Sequence, residues 1–125
     1  MEKVLNYVNL AKEEGGSVLV GGHQIKLEGE FENGYYIAPT IIEGLAYDCR
    51  TNQEEIFGPV VTIMPFDTEE EVLMMANSTV YGLASTVWTQ DITKAHRIAS
   101  KIHAGIVWIN SVSYTHLTLP TISCV

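Results

Sequence analysis

The chain has 125 residues, 46% hydrophobic and 18% charged, with a mean hydropathy of +0.12, which suits one globular domain and is too apolar for a disordered one. Seven Lys and Arg against fifteen Asp and Glu give a net charge of -8, which would repel a phosphate backbone and argues against nucleic-acid binding. Cys49 and Cys124 lack CxxC spacing, so they indicate neither a zinc knuckle nor a disulfide scaffold and suit a reducing cytoplasm. No apolar run approaches the roughly eighteen residues of a membrane span, and the opening Met1-Glu2-Lys3 does not resemble a targeting segment.

Val4, Leu5, Val8 and Ala11 recur at helical spacing and predict an amphipathic helix ended by Gly15-Gly16. Residues 17–20 read as a short buried strand, broken at Gly21-Gly22 before a polar, hairpin-like stretch over 23–34. Residues 35–42 are aromatic and β-branched, but Pro39 within them cannot donate to a ladder. That demotes the segment to an edge strand or an extended crossing.

The next residues alternate between apolar runs and capped amphipathic stretches. Residues 60–66 form a strand-length run, and Thr68 and Glu71 are spaced as a capping box for a helix whose inner stripe is Val72, Met75 and Ala76. A strand over 83–88 follows, then a helix capped by Asp91 with Ile92, Ala95, Ala99 and Ile102 on one face, then a strand over 106–109. This order predicts an α/β fold: a partial doubly wound, mainly parallel sheet, holding the strands at 60–66, 83–88 and 106–109 together, with covering helices. In such sheets ligands bind beyond the carboxyl ends of strands. Trp88 and Trp108 are expected to pack between sheet and helix. Residues 111–125 carry no charge and no helical period and look appended, the alternative being a closing strand at 114–119.

The most informative stretch is Gln53-Glu54-Glu55-Ile56-Phe57-Gly58-Pro59-Val60, which places a carboxylate and an aromatic ring two positions apart at the entry to a strand. A carboxylate accepts two hydrogen bonds from a sugar diol and a flat ring packs on a heterocycle, as a nucleotide ribose and base require. The plainer alternative is a solvated Glu pair and a core Phe. His96 and His103 lie seven apart without a completing carboxylate or thiol, so no metal site is expected, and the early glycines form no phosphate loop.

Glu54-Glu55-Ile56-Phe57-Gly58-Pro59-Val60 resembles a signature of the aldehyde dehydrogenase superfamily. Tyr35-Tyr36-Ile37-Ala38-Pro39, Tyr81-Gly82-Leu83-Ala84 and Ala104-Gly105-Ile106-Val107-Trp108-Ile109-Asn110 fall in that family's order and spacing. The resemblance covers residues 1–110 and corresponds to part of a catalytic domain; the sequence from 111 to 125 reads as non-family, of cloning or frameshift origin. The likeness implies NAD- or NADP-dependent oxidation of an aldehyde or semialdehyde to a carboxylic acid. In that chemistry a thiolate attacks the aldehyde, hydride passes to the nicotinamide, and a glutamate activates water.

On the same resemblance, Glu55 would hold the nicotinamide ribose hydroxyls and Phe57 would border the nicotinamide ring. The family's nucleophilic cysteine, general-base glutamate and dinucleotide-binding domain would lie upstream of the matched segment. Tyr47-Asp48-Cys49-Arg50 does not resemble the glycine-rich setting of the nucleophile, so Cys49 is read as a structural or surface thiol. The expectations are therefore a fragment without turnover of its own, no catalytic residue within it, and a parent that is a cytoplasmic homo-oligomer binding aldehyde and nicotinamide cofactor. The alternative is a non-catalytic module that associates with full-length dehydrogenase subunits.

Overall fold

The apolar repeat at the start of the chain forms α1 (Glu2–Glu13), with Val4, Val8 and Ala11 buried along one face. Glu2 in its first turn and Lys12 in its last both suit the helix dipole. The computed structural model describes residues 1–112; the strand considered at 114–119 and Cys124 lie outside them. The described residues belong to two compact units, Met1–Val80 and the part that follows from Tyr81.

In the first unit β1 (Ser17–Val20) follows α1, and β2 (Gln24–Ile25) pairs antiparallel with β3 (Tyr36–Ile37). β4 (Thr40–Glu43), the short helix α2 (Arg50–Gln53), β5 (Val60–Ile63) and α3 (Glu69–Ala76) complete it. The main sheet runs β1-β4-β5, antiparallel across the first pair and parallel across the second. Pro39 thus does not make its segment an edge. It sits one residue before β4, where its missing N–H interrupts no ladder bond, and the strand after it occupies the centre of the sheet. Ala11, Ile42 and Leu45 form the core between α1 and this sheet, with Val18, Cys49 and Val60 packed around it.

β1 is not the buried strand its composition predicts, since Leu19 and Val20 are 51% and 54% exposed. It lies at the sheet edge, and only Val18 turns toward the core. The expected box at α3 forms with one change of partner. Thr68 Oγ1 accepts from Glu71 N–H at 3.1 Å, while the Glu71 carboxylate reaches back to Asp67 N–H at 2.7 Å. None of the α3 stripe is fully buried.

The second unit is one β-α-β turn: β6 (Ala84–Val87), α4 (Ile92–Ala99) and β7 (Ile106–Ile109), with Ala84 opposite Ile106 in parallel register. Asp91 caps α4 by accepting from Lys94 N–H at 3.0 Å. The buried face is Ala95 and Ile98; Ile92, in the first turn, is 62% exposed, and Ile102 lies beyond the helix, which ends at Ala99. Trp88 is likewise exposed rather than sandwiched. Asn110 adopts φ +51 and its amide clasps Thr89, accepting from the N–H and donating to the C=O, each at 2.9 Å. A side chain thereby extends the β6-β7 ladder by one backbone pair.

The α/β class holds, but the described strands do not share one sheet: β5 pairs with β4, and β6 with β7. Alternation in sequence encodes parallel pairing through crossovers and does not name each strand's neighbour.

Ile42 is fully buried whereas Val61, on the adjacent strand, is 54% exposed. Ile42→Ala should cost about 2–5 kcal/mol in urea unfolding, against about 0.5 kcal/mol or less for Val61→Ala. Equal losses would contradict this placement of the core.

Candidate cofactor-facing cleft

The site is built on α2, a single turn of helix whose stability comes from elsewhere in the chain. Helix first turns leave backbone N–H groups without intrahelical acceptors, and Cys49, at the capping position, offers none from its side chain. The acceptor is Glu14, just past the end of α1. Its carboxylate takes the N–H of Arg50 at 3.0 Å, the N–H of Thr51 at 3.1 Å and the Thr51 hydroxyl at 2.6 Å. Thr51 is 3% exposed, so this carboxylate is what satisfies its buried hydroxyl. The Thr51 hydroxyl, ahead of the two backbone donors, holds the Glu14 carboxyl below its ordinary range despite the opposing effect of burial.

Two amides tie the preceding loop to this turn. Asn52 Nδ2 donates to Ala46 O and Gln53 Nε2 donates to Tyr47 O, both at 2.8 Å. The chain then turns extended at Glu54, whose carboxylate is fully engaged. Arg50 grips it with Nε at 2.8 Å and Nη2 at 3.1 Å, and the Tyr7 hydroxyl donates to it at 2.5 Å. Lys3 in turn lies 5.7 Å from the Tyr7 ring centroid. The Arg50 guanidinium first, and then the Tyr7 hydroxyl, hold the Glu54 carboxyl down to about 2.

Glu55, one residue on, is exposed and has no hydrogen-bond or ion-pair partner among the described residues. Phe57 adopts φ +57, a left-handed backbone uncommon for a residue with a Cβ, and its ring is 85% exposed. Gly58 follows with its Cα against α1, where a Cβ would stand 2.6 Å from Val4 Cγ2. Pro59 then leads into β5, its carbonyl accepting from Thr40 N–H at 2.8 Å. Glu55, Phe57 and Gly58 line one open cleft of about 380 Å³, which the engaged Glu54 also lines, with Thr51 and Thr62. A free carboxylate and an uncovered ring on the same cleft fit the ribose hydroxyls and flat heterocycle of a nucleotide.

The structure thus places both sequence-predicted site residues on one cleft, and Phe57 is not the core residue of the plainer reading. Cys49 is half-buried, does not line the cleft, and its thiol is pushed up by burial, the opposite of an activated nucleophile. Sequence reasoning missed Glu14, Tyr7 and Arg50. The i,i+4 spacing of Arg50 and Glu54 is a usable signal once a helix is suspected; Glu14 and Tyr7 act across 37 and 47 positions and leave no local trace.

An α/β segment carrying an open cleft with an unpaired carboxylate and an exposed ring at the entry to a strand is the class of structure these observations define. The chain belongs to the aldehyde dehydrogenase family, whose model matches residues 1–121, past Asn110 where the motif blocks end. It is 45% identical over 121 residues to 4-trimethylaminobutyraldehyde dehydrogenase A of Danio rerio, covering 96% of this chain and 24% of that protein. A 2-hydroxymuconic semialdehyde dehydrogenase of Pseudomonas sp. (strain CF600) is 48% identical over 110 residues, 88% of this chain and 23% of that protein.

Among solved structures, an NAD+ complex of an aldehyde dehydrogenase from Bacillus cereus superposes with a TM-score of 0.83 at 46% identity, covering 90% of this chain and 22% of that one. A betaine aldehyde dehydrogenase from Staphylococcus aureus in complex with NAD+ gives 0.84 at 41% identity, with the same coverage of each. The chain spans about a quarter of the length of the curated relatives it matches. No helix among the described residues is long and apolar enough to cross a membrane.

Because the Glu54 carboxyl titrates near 2 when folded and near 4.5 when free, its ion pair contributes stability that is complete above about pH 4.5. That contribution is lost as pH falls through about 2. The thermal midpoint of the wild-type chain should therefore fall more steeply between pH 4.5 and 2 than that of Glu54→Gln. Parallel curves would remove Glu54 from the acid-sensitive set.

Proposed function

We propose that this segment is the nicotinamide-holding part of an NAD(P)-dependent aldehyde dehydrogenase that oxidises an aldehyde or semialdehyde to a carboxylic acid. The observation that carries it is the contrast between adjacent carboxylates: Glu54 is consumed by Arg50 and Tyr7, while Glu55 is free and shares its cleft with the uncovered Phe57 ring. Glu55 accepts the two ribose hydroxyls, and Phe57 packs on the nicotinamide edge. When bound, NAD(P) supplies the hydride acceptor. What these residues contribute is position, since hydride transfer requires donor and acceptor carbons held in near contact.

Support also comes from the breadth of the relatives. Proteins named for aldehydes as different as trimethylaminobutyraldehyde and a muconic semialdehyde match with nearly equal identity, as suits a segment that serves the shared cofactor rather than the aldehyde. The described residues offer no activated thiol at the cleft, so we assign the nucleophile and the water-activating base of the parent enzyme to other parts of it. Turnover by the 125 residues alone is not expected on this reading. The free Cys49 thiol suits a reducing, cytoplasmic setting.

The test is a titration of the 125-residue chain with nicotinamide mononucleotide, followed by NMR. Resonances of Glu55, Phe57 and Gly58 should move at millimolar ligand, whereas adenosine monophosphate should leave them in place. Glu55→Gln should weaken binding about tenfold, because the amide keeps one acceptor oxygen and loses the charge that strengthens hydrogen bonds worth ~1.5–3 kcal/mol. Absence of any shift at these residues, or equal shifts with adenosine monophosphate, would defeat the assignment. In an intact enzyme carrying the same residues, this substitution should enlarge the primary deuterium isotope effect from labelled aldehyde.

A further inference from the structure

The residues that would meet the cofactor lie on a segment too short to hold itself. α2 is one turn, and an isolated turn of helix does not persist in water. Phe57 sits in a left-handed conformation that costs free energy in any residue with a Cβ, and such conformations persist only where the surroundings over-determine them. α1 supplies those surroundings at three points. Glu14 caps the start of α2, the Tyr7 hydroxyl holds Glu54 at its end, and Val4 lies against Gly58 so closely that no Cβ would fit.

We propose that Glu14 and Tyr7 are positioning residues for the cofactor cleft, holding the two ends of α2 so that Glu55 and Phe57 face the ligand together. The inference rests on the reading of Glu55 and Phe57 given above. Neither residue lines the cleft, so their action passes through the backbone of α2. Glu14 meets three donors with two oxygens, and an amide in its place keeps only one of those acceptors. Tyr7→Phe removes a single hydroxyl and leaves the ring in place.

The experiment compares the wild-type chain with Tyr7→Phe, Glu14→Gln and Glu14→Ala in two NMR measurements. Without ligand, the Gln53 and Glu54 amides, which bond within α2, should exchange at least tenfold faster in Glu14→Ala and by smaller factors in the other two. The strong intraresidue HN–Hα nuclear Overhauser effect that a positive φ gives Phe57 should weaken, and exchange in β4 should change little. With nicotinamide mononucleotide, affinity should fall severalfold in the same order as the exchange.

Exchange and Phe57 Overhauser effects in Tyr7→Phe and Glu14→Ala that match wild type, or that change only in step with β4, would overturn the proposal. So would unchanged affinity in variants whose α2 has loosened. Failure of the wild-type chain to bind the mononucleotide would overturn the reading of Glu55 and Phe57 instead, and the exchange data would still decide whether α1 holds α2.

Discussion

The carboxylate of Glu14 fixes the start of the turn on which the cleft of the first unit depends. It sits just past α1, whose buried face includes Ala11, and it accepts the first N–H groups of α2 and the buried Thr51 hydroxyl. Removing the acceptor would leave these donors unsatisfied in a partly dry setting, which costs more than making the bonds gains. That turn carries the amides of Asn52 and Gln53 that pin the preceding loop and the ion pair at Glu54, and it leads into the exposed pair Glu55 and Phe57.

The neighbouring carboxylates of Glu54 and Glu55 show how environment assigns different work to identical chemistry. Glu54 lies within reach of Arg50 one helical turn back and of Tyr7 on α1, so its oxygens are spent on protein donors. Glu55 follows after the backbone has become extended and meets none of those donors, although both carboxylates line the cleft. An acceptor that the protein leaves unused is available to a ligand.

Two residues other than glycine adopt left-handed backbone among those described, and they are compensated in different ways. Asn110 bonds both backbone groups of Thr89, so its conformation is satisfied locally. Phe57 has no polar side chain to do this, and its ring stays 85% exposed at the cleft. Asn110 is thus held by its own side chain, whereas Phe57 depends on its neighbours, with Gly58 packed on Val4 and α2 braced by Glu14 and Tyr7.

From the sequence alone, the caps at Thr68 and Asp91, the helical face of α1 and the alternation that makes the fold α/β were legible, because each is encoded within one or two turns of chain. The block from Glu54 to Val60 was legible as a site through its residue types and its family likeness. Only the tertiary structure decided which strands pair, that the segment after Pro39 lies in the middle of a sheet, and that β1 and Trp88 are exposed despite their apolar composition. It also decided which of two adjacent glutamates is free. The physical reason is the same in each case: strand neighbours, burial and the partners of a charged group depend on residues tens of positions away, as Glu14 and Tyr7 are from α2 and Glu54, and a local pattern holds no record of them.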